Sequence, residues 1–278
     1  MRSLALRDDL PAPDGYDGAL RDGTTLLVAV PGESPDSTPV AAAALSGNPP
    51  LARLDHLWVR HDLRRAGLGR FVLEMLRGRA SSQGITVLSV RVSADDVAMT
   101  ALASGTRILG EHLQKPVDPD AAVHALGYRP LTPDELGPWR ETQVQAYAQD
   151  ELVRLDGNLD LALEQARDDF DRLLPAGLET PNTSLVVLTS GDERVGHLWV
   201  AHHIEPGLSF VYDVEVSEQH RGRGFGRAAM VVAEVLARSA GDDRIGLHVF
   251  GGNTAARNLY RTHGYVLQST THDLLARS

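Results

Sequence analysis

The chain has 278 residues, 42% of them hydrophobic and 23% charged, which is the composition of a folded globular protein rather than a disordered or fibrous one. Lys and Arg total 27 against 37 Asp and Glu, a formal net charge of -10, so most of the surface repels a phosphate backbone and no nucleic-acid partner is expected. Cysteine is absent, which excludes disulfides, thiolate metal ligands and a covalent enzyme thioester.

Met1 to Asp9 carries two arginines and two aspartates around Leu4, Ala5 and Leu6, with no apolar run of signal-peptide length. No stretch approaches the roughly 18 apolar residues that span a bilayer. A soluble cytoplasmic protein without a membrane partner is the expectation. Further along, the chain repeats itself. Leu57 to Gly69 reads LWVRHDLRRAGLG and Val214 to Gly226 reads VEVSEQHRGRGFG, so Val59, Arg64, Gly67 and Gly69 return as Val216, Arg221, Gly224 and Gly226. A second landmark, Leu126-Gly127-Tyr128 against His263-Gly264-Tyr265, falls at a shorter offset. It implies about 20 extra residues in the first copy, read as a helix and loop inserted within Ala94 to Val123. Arg129 to Trp139, RPLTPDELGPW, holds three prolines and a glycine and reads as a connector, dividing the chain into domains 1–134 and 135–278.

In the second half, Leu159, Leu163, Ala166, Phe170 and Leu173 or Leu174 recur at helical spacing, with Asn158 as N-cap and Pro175 beyond the end. Leu185 to Thr189 and Val195 to His202 read as a hairpin turning at Ser190-Gly191-Asp192. Phe210 to Val216 alternates like a strand, with Val214 and Val216 on one face and Asp213 and Glu215 on the other. A helix over Ala228 to Ala240, a strand over Ile245 to Phe250, a helix over Asn253 to Thr262 and a strand over Tyr265 to Asp273 complete the half. The order is two helices, a three-strand meander, helix, strand, helix, strand, which predicts an α/β fold with a mixed sheet in each half.

Arg221 to Gly226, RGRGFG, joins a strand to a helix with glycine at alternate positions. Glycine permits positive φ and close approach of a ligand, and the first N-H groups of the helix converge where its dipole favours an anion. Arg221, Arg223 and Arg227 add fixed positive charge, so the segment predicts a diphosphate cradle. The letters from Gly224 to Ala229 also fit the dinucleotide fingerprint GxGxxA. Its context does not: four residues precede the loop's arginine, and Asp242 and Asp243 come before the next strand instead of ending it.

Val214-Glu215-Val216, the RxxGxG of Arg221 to Gly226, Asn253 to Tyr260 (NTAARNLY) and Gly264-Tyr265 together resemble the GNAT acetyltransferase superfamily, and the repeat extends the resemblance to the first half as a tandem member. What the resemblance implies is two GNAT-like domains, each a mostly antiparallel mixed sheet flanked by helices, and acetyl-coenzyme A held on Arg221, Gly222, Arg223, Gly224, Phe225, Gly226 and Arg227. Its pantetheine arm would lie beside Val214 and Val216, with Asn253 as a further contact or helix cap. The acetyl group would pass directly to a primary amine of a small molecule. A protonated amine, with a pKa of about 10, needs a base. Glu215 is the candidate, with Asp213 its competitor and a water chain the alternative. Tyr260 occupies the family's position for the acid that protonates the leaving thiolate, and the main-chain N-H of Val216 would meet the developing oxyanion. Other acceptors, a protein amine or a mycothiol-type precursor, stay open, as does a sensor that binds acyl-coenzyme A without turnover.

The first half keeps RxxGxG at Arg64, Gly67 and Gly69, leaving open a second cofactor site or a merely preserved turn. Trp58 stands where Glu215 stands, and Val92 to Leu102 holds neither the asparagine motif nor its tyrosine, so this half is expected to be catalytically silent. His197, His202 and His203 lack the spacing of a zinc pair, and no metal is expected. No GxSxG occurs. Asp168, Asp169 and Asp171 read as a solvated helix face, and the resemblance, which implies that this helix flanks the acceptor cleft, implies that they would also attract a cationic amine.

Overall fold

The computed structural model describes residues 4–20, 23–31, 38–124, 126–152, 155 and 157–277. The chain divides into two compact units. The first comprises Met1–Leu109, Arg154–Asp156 and Thr270–Ser278, and the second Gly110–Val153 and Gly157–Ser269.

The first unit runs β1 (Leu4–Arg7), β2 (Thr25–Pro31), β3 (Ala41–Ser46), β4 (Leu51–Val59), α1 (Leu68–Ser82), β5 (Val87–Ser93) and α2 (Val97–Ala103), then enters β6 (Thr106–Pro116). β1 to β4 form an antiparallel meander, and β4 pairs parallel with β5. Valines, leucines and alanines alternate on these strands with a buried face toward α1, whose Val72, Leu73, Leu76 and Ala80 close the core. Leu274, in the part of the chain's last strand assigned to this unit, is 1% exposed within the same core.

The second unit continues through β7 (Gly127–Pro130), α3 (Pro133–Glu151), α4 (Leu159–Leu173), β8 (Thr183–Ser190), β9 (Glu193–Glu205), β10 (Leu208–Val216), α5 (Phe225–Ala240), β11 (Arg244–Phe250), α6 (Thr254–Thr262) and the start of β12 (Val266–Arg277), up to Ser269. β7, β8, β9 and β10 are antiparallel neighbours, β10 pairs parallel with β11, and β11 pairs antiparallel with β6 from Gly110 on. α5 buries Phe225, Ala229, Met230, Val232, Ala233 and Ala237 against one face of this sheet. Burying a side chain such as Met230 contributes about 2 kcal/mol. The mixed, mostly antiparallel sheet flanked by helices is the α/β architecture read from the sequence.

Three local expectations change. Arg129 to Trp139 is not a connector: Pro130 ends β7, Pro133 takes the first turn of α3 and Pro138 lies inside it. A proline at a helix start loses no hydrogen bond. Glu135 secures that start by accepting from Thr132 N-H at 2.9 Å, while Arg129 grips its carboxylate at 2.7 Å through each of two nitrogens. These bonds hold Glu135 down to about 2. Residues 110–134 therefore belong with the second unit, ahead of the expected boundary at 134/135.

The repeat also keeps nearly one offset, without a 20-residue insertion. α2 and α6 are capped by Asp96 and Asn253, 157 positions apart, and end before Gly105 and Gly264, 159 apart, with φ of +77° and +87°. β6 and β12 follow them. Gly127-Tyr128, the supposed partner of Gly264-Tyr265, instead forms edge strand β7 against β8. Finally, the first unit opens on β1 and not on two helices, among the described residues.

Candidate active site

β10 and β11 are paired only from Leu208 opposite Arg244 to Val211 opposite Leu247. Beyond that point β10 continues to Val216 bonded to β9 alone, after a bulge between Val211 and Asp213. The two strands part, and the chemistry-bearing residues lie where they do. Val214 and Val216 pack against the core beneath α5, while Glu215 on the opposite face accepts from Gln143 Nε2 of α3 at 3.2 Å.

At the end of β10, Arg221 Nε donates to Val216 O at 3.1 Å and braces the loop to the strand. Gly222 and Gly224 have φ of +75° and +84°, and a Cβ at either would meet open space. Gly224 is the N-cap of α5 and supplies no side-chain cap, so the first N-H groups of the helix are left for an external acceptor. Phe225 is buried and Arg223 lies over its ring, 5.0 Å from the centroid. Gly226 faces Leu259, where a Cβ would come within 3.4 Å of Cδ2. Such an uncapped start of a 16-residue helix, flanked by Arg221, Arg223 and Arg227, suits a diphosphate.

Asn253 Oδ1 accepts from Ala256 N at 3.0 Å and caps α6. That helix carries Tyr260, 7% exposed, whose hydroxyl is pushed up to about 12 by burial and secondarily by the negative charge of Asp213. Tyr260 is therefore a protonated donor at neutral pH. Asp213 lies two residues before Glu215 on β10, so Tyr260 senses the charge of the strand that carries Glu215.

Sequence reasoning missed a neighbour. His197 on β9 pairs directly with Glu215 across the ladder, and its Nε2 hydrogen-bonds Asp213 Oδ2 and lies 3.8 Å from Glu215 Oε2. His197, Glu215, Gln143, Trp139, Thr142, Ser217, Asp134 and Arg194 are among the residues lining a cavity of about 370 Å³. The strand register is the signal that would have found His197. His202 and His203 lie elsewhere: His202 bridges Ser184 and Ser209 at 2.8 Å each, and His203 Nδ1 binds Asp242 at 2.8 Å. Among the described residues no group of three or more His, Cys, Asp or Glu side chains is arranged to hold a metal ion. Asp169 pairs with Arg172 and Asp171 with Arg140, both at 2.6 Å on the exposed side of α4.

The first unit reproduces half of this arrangement. Arg64 Nε donates to Val59 O at 2.9 Å, Gly67 with φ +83° caps α1 without a side-chain bond, and Gly69 faces Leu102. Asp96 takes the place of Asn253 and caps α2 through Met99 N at 2.9 Å. A cavity of about 710 Å³ opens beside Arg64, Arg65, Gly67, Gly69, Arg70 and Met99. Two side chains differ: buried Ala103 stands at the Tyr260 position, and Trp58, 5% exposed, stands at the Glu215 position, packs with Val28, Val30 and Ala42 and also lines the cavity.

Residues 146–265 match the model of the acetyltransferase (GNAT) family. The uncharacterized N-acetyltransferase YycN of Bacillus subtilis is 40% identical over 101 residues, 34% of this chain and 64% of that protein, so the match spans less than two thirds of the relative's length. A mycothiol acetyltransferase of Pseudarthrobacter chlorophenolicus is 24% identical over 269 residues, 89% of this chain and 79% of that one. Among solved structures, a tandem GNAT protein from the clavulanic acid biosynthesis pathway is similar with a TM-score of 0.51 at 19% identity, over 92% of this chain and 85% of that one, a likeness of fold.

Proposed function

From the match of residues 146–265 to the GNAT acetyltransferase family, we propose that the second unit transfers an acetyl group from acetyl-coenzyme A to the primary amine of a small molecule in the cytoplasm. The observation that carries this reading is the open, uncapped glycine start of α5 joined to the strand that carries Glu215. Arg221 to Arg227 would hold the diphosphate, with Val214, Val216 and Asn253 beside the arm. The bound carrier supplies an activated thioester. Glu215 takes the proton from the acceptor ammonium and frees its lone pair. The main-chain N-H of Val216 faces the oxygen that gains charge, and Tyr260 gives its proton to the leaving sulfur.

Thiol release measured against a panel of small primary amines tests this. Release that depends on the amine is expected. Carrier binding with no acceptor-dependent release would overturn the reading in favour of a sensor. The panel includes a peptide amine and a mycothiol-type precursor, because the alignment with a mycothiol acetyltransferase along 89% of the chain favours that acceptor as a second reading.

For the first unit the reading is a carrier site without turnover. Its cavity and its uncapped glycine at Gly67 support binding, and Ala103 and Trp58 remove the acid and the base.

A further inference from the structure

Resting on the acetyl-transfer reading, we propose that the acceptor is a small amine that also bears a carboxylate, an amino acid in the broad sense, and that Arg194 of β9 grips this carboxylate while the amine reaches Glu215. Both side chains line the cavity of about 370 Å³, a volume that suits a small molecule. The Arg194 side chain is 45% exposed and that of Glu215 40%, so a ligand arriving from solvent can reach both. Arg194 stands three residues before His197, the ladder partner of Glu215, which separates the two backbone positions by roughly 10 Å along the strand. That separation leaves room for an acceptor with several bonds between its amine and its carboxylate.

Arg194 brings a charge that the fold leaves without a close partner. Among the described residues its one ion pair is with Glu135, at 3.7 Å, which is beyond hydrogen-bond distance. Both oxygens of Glu135 are already taken. Oε1 accepts from Arg129 Nη2 at 2.7 Å, and Oε2 accepts from Arg129 Nη1 at 2.7 Å and from Thr132 N at 2.9 Å. The Arg194 guanidinium therefore keeps its planar fork of donors for a ligand, and that fork matches a carboxylate through two parallel N-H bonds. Ser217 adds a hydroxyl to the same wall. His197 is occupied with Asp213. Asp134 of α3 also lines the cavity and is the group a diamine would use, but the second ammonium of a diamine would meet Arg194 as a like charge. Outside the cavity, Asp169 and Asp171 of α4, which would draw a purely cationic acceptor, are paired with Arg172 and Arg140.

The test is acceptor-dependent thiol release by wild type and Arg194→Gln with glycine, 4-aminobutyrate and 6-aminohexanoate, each beside its own amide, and with 1,4-diaminobutane. For the best of the three amino acids, wild type should show kcat/KM at least about tenfold above that for the matching amide, carried by KM, because the amide forfeits the charge-assisted bonds to the guanidinium. In Arg194→Gln that ratio should fall to about one. An arginine with a merely structural role would lower every acceptor alike and leave the ratio where it was. An unchanged ratio, or a wild type that uses the amides or the diamine as well as the amino acids, overturns the proposal, and so does release with other amines but with none of these three. If no amine supports release, the acetyl-transfer reading fails by itself. Calorimetric titration of both proteins with the same three amino acids then decides the carboxylate site: binding to wild type that weakens about tenfold in Arg194→Gln is expected, and equal or absent binding overturns it.

Discussion

In the proposed reaction Tyr260 would supply a proton and the turn at Gly224 would hold a phosphate. Tyr260→Phe removes one hydroxyl from a buried ring that packs 5.8 Å from Tyr265, so the fold should persist. The expected outcome is a fall in kcat of about a hundredfold with the carrier dissociation constant unchanged, read by steady-state kinetics beside calorimetric titration. An unchanged kcat would remove Tyr260 from the mechanism. At this scale the sequence was informative where function depends on backbone geometry: Gly222 and Gly224 adopt the positive φ that their letters imply. The bond from Arg221 Nε to Val216 O, which leaves its Nη groups to donate elsewhere, was not legible in the letters. His197 was invisible as a partner of Glu215, since the two meet only through strand register.

Two buried polar networks fix whole elements of the second unit. Glu234 of α5, 2% exposed, takes Lys115 Nζ of β6 at 2.9 Å, His263 Nε2 at 3.0 Å and Asp118 N at 3.0 Å. Lys115 is the chain's single lysine. Glu234→Ala leaves a largely enclosed ammonium and a backbone N-H without their acceptor, and should cost about 3 kcal/mol in denaturant unfolding. A loss within experimental error would mean that water replaces the carboxylate.

The second network ties the β9–β10 hairpin to the end of α5. Ser184 bonds His202, His202 bonds Ser209, and Ser209 donates to Asp242 Oδ2 at 2.6 Å, with His203 on the other oxygen. Burial lowers the His202 pKa, against a smaller raising effect of Asp242. The folded state therefore binds this proton less readily than the unfolded chain. Its stabilising contribution is complete above about pH 6.5 and is lost as the pH falls from there through the folded value. Asp242 is also lowered: burial opposes its charge, but the bonds from Ser209 and His203 outweigh it, so its share is lost at still lower pH. Thermal unfolding should show a declining Tm below about pH 6.5, and the decline should be shallower in His202→Gln. Parallel curves would exclude His202 as the origin.

Across the whole molecule, the repeat predicts a stoichiometry. With both glycine turns intact, calorimetry should count two carrier molecules per chain. Gly67→Asp and Gly224→Asp should each reduce the count to one, because a side chain at positive φ is strained and a carboxylate repels the diphosphate. Acetyl transfer should vanish only in Gly224→Asp. A count of one in wild type, abolished by Gly224→Asp, would mean that Gly67 preserves only a turn.

The sequence by itself determined the tandem repeat, the glycine-led turns, the absence of the asparagine-tyrosine motif from the first copy, and the periodicity of α4, with Asn158 capping it through Leu161 N at 3.1 Å. These features are written in residues a few positions apart, where backbone geometry and side-chain chemistry act locally. Tertiary structure alone decided that β12 supplies Leu274 to the core of the first unit, that the proline-rich stretch starts α3, and that His197 faces both carboxylates of β10. Those outcomes depend on which strand pairs with which and in what register, and hydrogen bonding between segments far apart in sequence sets them.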